Sequence, residues 1–300
     1  MSNVINLNNR NKYALITGAT SGIGYELAKL FAKDGYSLVL VARSAERLQE
    51  VCDECKLHGV EVLPLEKDLF QPDAAREIYR EIKNRGININ VLVNDAGQGE
   101  KGKFYEVPLE RHLDLIQLDV VALVTLTKLF LDDMLAMGEG RILQLASIVA
   151  KTPAPEFSVY AASKAFVLSF SEALAKELEG TGVTVTALVP GRTDTDFFYK
   201  AGMKDTKEYQ EHKLASPADV ARDGYEALMS GESRIVSGAQ NKMMLGMMNT
   251  LSDSANAANM QQNMQPSDKP ADERRERTEH PASAREREQI GKPQGDLSKK

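Results

Sequence analysis

The sequence predicts an α/β fold built on one doubly wound parallel sheet with helices on both faces. Short apolar runs without polar alternation, the kind buried on both sides of a parallel sheet, recur between residues 13 and 189. Each leads into a longer segment with helical spacing, which is the order that right-handed βαβ crossovers require. The chemically distinctive residues all fall where an apolar run ends, and in this architecture ligands bind past the carboxyl ends of the strands.

The first run, 13–16, is Tyr-Ala-Leu-Ile and passes into Thr17-Gly18-Ala19-Thr20-Ser21-Gly22-Ile23-Gly24. Ile23, Leu27, Leu30 and Phe31 then recur at helical spacing, and Gly35 stands where a helix stop is expected. The second strand runs Ser-Leu-Val-Leu-Val-Ala into Arg43. A polar-faced helix over 45–57 turns Leu48, Val51 and Cys55 inward, and a third strand over 60–65 ends near Lys67-Asp68-Leu69. Residues 72–85 form a helix with Pro72 in its first turn, and 89–93 form the fourth strand, closing at Asn94-Asp95-Ala96-Gly97. One long helix is expected over 109–137, apolar on most sides. A fifth strand over 141–146 ends at Ser147, a helix covers 159–179, and a sixth strand over 183–189 exits through Pro190-Gly191. A helix over 217–229 and a short strand over 234–236 complete the pattern.

A strand feeding a helix through a glycine turn leaves unpaired backbone N–H groups past the strand end, where the helix dipole also favours negative charge. That describes a phosphate site. Gly18 allows the tight turn, and the bare Cα atoms of Gly22 and Gly24 let a pyrophosphate and neighbouring backbone approach.

Tyr160 and Lys164 are four residues apart in a helical stretch and share a face. An ammonium beside a phenol favours the phenolate, bringing a group of ordinary pKa about 10 toward working pH. Such a phenol can protonate a carbonyl oxygen or take a proton from an alcohol, and Ser147 at the neighbouring strand end can hydrogen-bond the same oxygen.

The totals narrow the alternatives. The 300 residues suit one core, and a net charge of −6 without a basic stripe argues against nucleic acid. No run of eighteen apolar residues or signal-peptide core is present, so a cytoplasmic protein with no membrane partner is expected. Cys52 and Cys55 form a C-x-x-C with His58 nearby, but they lie late in a helix and no second ligand pair is spaced to complete a metal site; no metal is expected. Residues 1–11 read as an N-terminal extension and 12–239 as the folded domain. The segment 240–264 is Met-rich, with Met243, Met244, Met247 and Met248 expected to pack against the domain. From 265 to 300 charges alternate with almost no large aliphatics, which predicts a disordered tail.

Over 12–238 the chain resembles the single-domain short-chain dehydrogenase/reductases, which have a Rossmann-type sheet. The motifs are Thr17-Gly18-x-x-x-Gly22-x-Gly24, Asn94-Asp95-Ala96-Gly97, Ser147, Tyr160-x-x-x-Lys164 and Pro190-Gly191. The resemblance implies an NAD(P)(H)-dependent oxidoreductase that interconverts a small-molecule carbonyl and a secondary alcohol. Tyr160 would be the acid/base, Lys164 would also hold the nicotinamide ribose, and Ser147 would bind substrate beside Tyr160. Cofactor contacts are expected from Gly18, Thr20, Ser21, Gly22, Ile23, Gly24, Arg43, Asp68, Leu69, Asn94, Ala96, Gly97, Pro190, Gly191, Thr193 and Thr195. Residues 190–195 would cover the nicotinamide and lead into a mobile substrate loop ending near Leu214. A homodimer or homotetramer is implied as well. The glycine spacing does not fit the extended, epimerase-like branch.

Two positions depart from the family. Asp95 stands where the second Asn of Asn-Asn-Ala-Gly is usual, and Asp119 stands where the long helix usually carries a catalytic Asn. A carboxylate cannot donate as an amide does. Asp119 is nevertheless expected to face the catalytic cavity, and it sustains an alternative reading as a cofactor-binding regulatory protein with impaired turnover. The second strand ends in Ala42-Arg43 rather than in a carboxylate for ribose hydroxyls, so NADP(H) is expected over NAD(H).

Overall fold

In the computed structural model, which describes residue 9 and residues 11–248 and 250–268, seven parallel strands form one sheet in the order β3-β2-β1-β4-β5-β6-β7. The strands are β1 Tyr13–Thr17, β2 Ser37–Ala42, β3 Val62–Glu66, β4 Ile89–Asn94, β5 Gly140–Leu145, β6 Val183–Val189 and β7 Arg234–Val236. The strand order reverses between β1 and β4, which opens a crevice at their carboxyl ends.

The uniform apolarity of the strands follows from burial on both faces. Ala14 and Ile16 join Leu38 and Leu40 on one face, packed against Leu27, Phe31 and Leu228. These belong to α1 (Gly22–Lys33) and α9 (Pro217–Ser230). Leu15, Val39 and Val41 point to the other face, against Ile78, Ile82, Leu126, Phe130 and Leu174 of α3 (Ala74–Asn84), α5 (Leu123–Met137) and α6 (Ser158–Glu177). Phe31 is fully buried between Tyr36 and Tyr225, with ring centroids 5.3 and 4.9 Å away. Burial of a side chain of this size stabilises by roughly 1.5–3 kcal/mol. Helix α2 (Ala45–Lys56) is capped by Ser44, whose hydroxyl accepts from the Arg47 amide. Its Cys52 and Cys55 are buried free thiols, pushed up to about 11 and about 12 by burial, which makes them poor nucleophiles.

The expected single helix over 109–137 is interrupted. Helix α4 (Leu109–Ile116) passes into a π-helical turn, Gln117–Ala122, before α5 begins. The turn rotates the following residues relative to an uninterrupted α-helix, and Asp119 lies within it. The short helices α7 (Phe197–Lys200) and α8 (Lys207–Gln210) follow β6, and α10 (Ala239–Met248) follows β7. Met244 of α10 packs against the domain as expected, whereas Met243 and Met247 are exposed.

Helix α11 (Asp253–Asn263) buries Met260 and, at its C-cap, Met264. The chain is ordered past residue 265, where the charge pattern alone predicts disorder. Pro266 pairs with Thr206 in an antiparallel bridge, and the Lys207 amide donates to the Gln265 carbonyl at 2.9 Å. The expectation of disorder for residues 269–300, and the N-terminal extension up to residue 8, lie outside the described residues. No helix among the described residues is long and apolar enough to cross a membrane.

Candidate active site

A single cavity at the carboxyl ends of the strands gathers most of the residues singled out from the sequence. Its phosphate end is the β1–α1 turn, with Gly18, Thr20, Ser21, Gly22 and Ile23 in the wall. Gly18 and Gly22 have φ of 71° and 58°, a conformation that L side chains rarely adopt. A Cβ on Gly22 would lie 2.9 Å from the Thr195 methyl, so the bare glycine lets the β6 exit loop close over the turn. Ser21 occupies the N-cap of α1 in extended conformation without a side-chain cap, leaving the first amides of the helix facing the cavity. This cradle fits a pyrophosphate.

Arg43, Lys67, Asp68, Leu69 and Phe70 line one end, with the Arg43 guanidinium 5.2 Å from the Phe70 ring centroid. The Asp68 carboxylate accepts from the Phe70 amide at 3.2 Å and fixes this corner. Ala96, Gly97, Pro190, Gly191, Thr193 and Thr195 line the middle. Thr17 shapes that middle from behind: its hydroxyl accepts from the Asp95 and Ala96 amides, each at 3.1 Å, and so sets how the chain leaves β4.

Ser147, Tyr160 and Lys164 meet at the far end, all within the cavity wall. Ser147 follows β5 and caps a 3₁₀ turn, Ile148–Lys151, its hydroxyl accepting from the Val149 amide at 3.4 Å. Tyr160 and Lys164 lie on the buried face of α6, with Val167, Leu168 and Ser171 continuing the same stripe. The Lys164 ammonium donates to the Leu145 carbonyl at 2.9 Å and lies 5.6 Å from the Tyr160 ring centroid. Phe157 and Phe197 pack on the Tyr160 ring at 4.5 and 5.0 Å.

Three expected site residues stand behind the wall. Gly24 is packed under the turn, where a Cβ would meet Asp95 Oδ2 at 2.5 Å and the Gly18 carbonyl oxygen at 2.6 Å. Asn94 donates to Thr127 Oγ1 at 3.1 Å and to Gln144 Oε1 at 2.9 Å, so its amide ties β4 to β5 and α5 inside the sheet. Asp119 is 1% exposed and lies behind Gly97 rather than facing the cavity. Its Oδ1 accepts from the Gln98 amide at 3.0 Å, and Oδ2 has no hydrogen-bond partner.

The electrostatics correct the expectation that Lys164 draws the phenol down. Burial holds the Tyr160 phenol above its ordinary value, the Asp119 charge pushes it further up, and the Ser147 hydrogen bond only partly opposes them. Burial also pushes Asp119 up to about 6 and Asp95 up to about 7, each against the attraction of Lys164. Sequence reasoning missed the apolar residues Phe157, Met203 and Met264 in the wall. Met264 is brought there by chain packing from far along the sequence and carries no local signal.

Fold and site together define a dinucleotide-binding oxidoreductase class. The short chain dehydrogenase family matches residues 12–206, and the chain belongs to that family, whose members use NAD(P). It is 36% identical over 189 residues to a short chain dehydrogenase of Pseudocercospora fijiensis (strain CIRAD86), a match covering 62% of this chain and 61% of that protein. A solved structure described in work on 7beta-hydroxysteroid dehydrogenase stereoselectivity superposes with a TM-score of 0.78 at 25% identity, covering 86% of this chain and all of the other (100%). A short-chain dehydrogenase from Sphingobium yanoikuyae in complex with NADPH superposes with a TM-score of 0.69 at 28% identity, covering 81% of this chain and 97% of the other.

Proposed function

We propose that the protein interconverts a small-molecule carbonyl and a secondary alcohol using NADP(H), with Tyr160 as general acid/base. The observation that carries this reading is that Ser147, Tyr160 and Lys164 share one cavity with the glycine turn. The amides at the start of α1 would hold the pyrophosphate, Arg43 the 2′-phosphate and Lys164 the nicotinamide ribose. When bound, the cofactor supplies or accepts the hydride. Tyr160, which shares the cavity wall with Ser147, gives its proton to the carbonyl oxygen, and Ser147 fixes and polarises that oxygen. A phenol held above its ordinary value is protonated at neutral pH, the form that reduction requires. The NADPH-bound relative from Sphingobium yanoikuyae supports the choice of cofactor. A cytoplasmic homodimer or homotetramer completes the reading.

The second reading, a cofactor-binding regulatory protein with impaired turnover, draws on Asp119, whose buried charge opposes phenolate formation. Turnover separates the two. NADPH oxidation with a panel of ketones, aldehydes and diketones is expected to proceed in the wild type. Tyr160→Phe should nearly abolish it while NADPH still binds, because the change removes the proton and little volume. Substantial activity in that variant would place the acid/base elsewhere.

A further inference from the structure

We propose that the chain beyond the last strand forms one wall of the substrate site, with Met264 setting the size of an uncharged, apolar group on the carbonyl carbon. This rests on the carbonyl-reductase reading above. Met260 and Met264 are the large apolar side chains of α11 and its C-cap, 5% and 1% exposed. They join Phe157, Tyr160, Phe198, Met203 and Tyr209 in one cluster, so the group assigned as acid/base packs into the same apolar unit. Met264 also reaches the cavity wall.

The wall is held in place by backbone. Two backbone bonds make the Thr206–Pro266 bridge: the Lys207 amide donates to the Gln265 carbonyl and the Ser267 amide to the Asp205 carbonyl, each at 2.9 Å. The Ser267 hydroxyl donates to Glu211 at 2.9 Å. This clasp ties the C-terminal segment to residues 205–211, inside the loop that the sequence alone predicts to be mobile.

The chemistry of the lining selects the ligand. On the side of the cavity away from the glycine turn, charges face one another: Arg192 Nη2 donates to Glu208 at 2.8 Å, and Lys200 lies 4.0 Å from Asp196. Apart from Lys164, which the reading assigns to the cofactor, the wall by Tyr160 is apolar: Phe157 and Phe197 pack on its ring, and Met203 and Met264 belong to the same cluster and lining, offering dispersion contacts. A thioether with three rotatable bonds adapts to irregular apolar shapes and still limits bulk.

The test measures kcat and KM of the full chain with NADPH for 2-butanone, 2-octanone and cyclohexyl phenyl ketone, with pyruvate as the charged comparison. Met264→Ala should raise kcat/KM for the bulkiest ketone about tenfold relative to 2-butanone, the scale of one or two methylenes in an apolar pocket, and should act through KM. Met264→Trp should do the reverse. The exposed Met243→Ala should behave as wild type, and pyruvate should be poorest throughout. Equal factors across the series in both Met264→Ala and Met264→Trp would overturn the proposal, as would pyruvate being preferred.

If the wild type reduces none of the ketones, the carbonyl-reductase reading fails, and thermal shift in the presence of NADPH decides the wall separately. Cyclohexyl phenyl ketone should raise the wild-type melting temperature and raise that of Met264→Trp less. Equal shifts, or none in either protein, would overturn the wall itself.

Discussion

Replacing Asp95 by asparagine is expected to stabilise the protein, and to do so only toward alkaline pH. Its carboxyl group lies beneath the glycine turn, with Oδ2 against Gly18 and Gly24 and Oδ1 without a hydrogen-bond partner. The residue is half-buried as a whole, yet Oδ1 is sealed from water. Burial pushes the group from 3.8 up to about 7, against the attraction of Lys164 and the hydrogen bond from the Gly24 amide. Below pH 3.8 both folded and unfolded chains hold the proton, and the group leaves stability unchanged. Between 3.8 and about 7 the unfolded chain releases it while the folded chain keeps it, so stability falls as pH rises. Above that range the loss is complete at about 4 kcal/mol, from a pKa displaced by about three at roughly 1.4 kcal/mol for each.

Asparagine keeps the shape and, with its amide oxygen in the place of Oδ2, still accepts from the Gly24 amide while carrying no charge to bury. Urea unfolding of Asp95→Asn and wild type should differ by less than about 1 kcal/mol at pH 4 and by up to about 4 kcal/mol in favour of the variant at pH 8.5. A difference that is the same at both pH values, or a variant less stable at pH 8.5, would refute the assignment of a buried, poorly compensated carboxylate.

Three further outcomes are expected. Arg43→Ala should weaken NADPH binding relative to NADH by roughly tenfold or more, the loss of a charge-assisted contact to a 2′-phosphate, and an unchanged ratio of the two dissociation constants would rule out that contact. Asp119→Asn should raise ketone reduction about tenfold above pH 6, where the native carboxylate is charged, and change it little below; superimposable pH–rate profiles would mean that the charge does not act on Tyr160. A chain ending at Gln265 should melt roughly 5 °C below one ending at Asp268, since it loses two hydrogen bonds, the Ser267 amide bond that closes the Thr206–Pro266 bridge and the Ser267 hydroxyl bond to Glu211, worth about 2 kcal/mol together. Identical melting curves would show that the clasp carries no stability.

What was legible in the sequence is what is encoded locally. The β1 run, the glycine turn and the apolar face of α1 specify themselves through neighbours in the chain, and Tyr160 and Lys164 share a face because helical spacing requires it. The apolar strand ends likewise located Ser147. Three things were hidden for physical reasons. A π turn preserves apolar composition and breaks only the period, so 109–137 reads as one helix although Asp119 is turned behind Gly97. Helix α11 has too few apolar residues to announce itself, and its Met260 is buried in a cluster with Phe157, Tyr160 and Phe198, far away in the chain. The elevated Tyr160 phenol depends on burial and on Asp119, and neither is visible in the Tyr-x-x-x-Lys spacing.

Gly97 shows how these buried charges come together. It is absent from the glycines with positive φ, so a tight turn does not explain it. A Cβ there would lie 3.2 Å from both Asp119 Oδ1 and Lys164 Nζ, so the missing side chain is what admits the two groups behind the backbone. They are therefore within roughly 6 Å of each other, where opposite charges attract by about 3 kcal/mol at an effective dielectric of 20. The same ammonium is also the attractive partner of Asp95. Two carboxylates, Asp119 fully buried and Asp95 half-buried, thus compete for one lysine, and burial leaves each holding a proton to higher pH than an exposed carboxylate would. The protonation of this cluster changes between about 6 and about 7, inside the range in which the protein would work. The charge on Asp119 then adds to burial in holding the Tyr160 phenol up, which is the point on which the proposed reductase and regulatory readings divide.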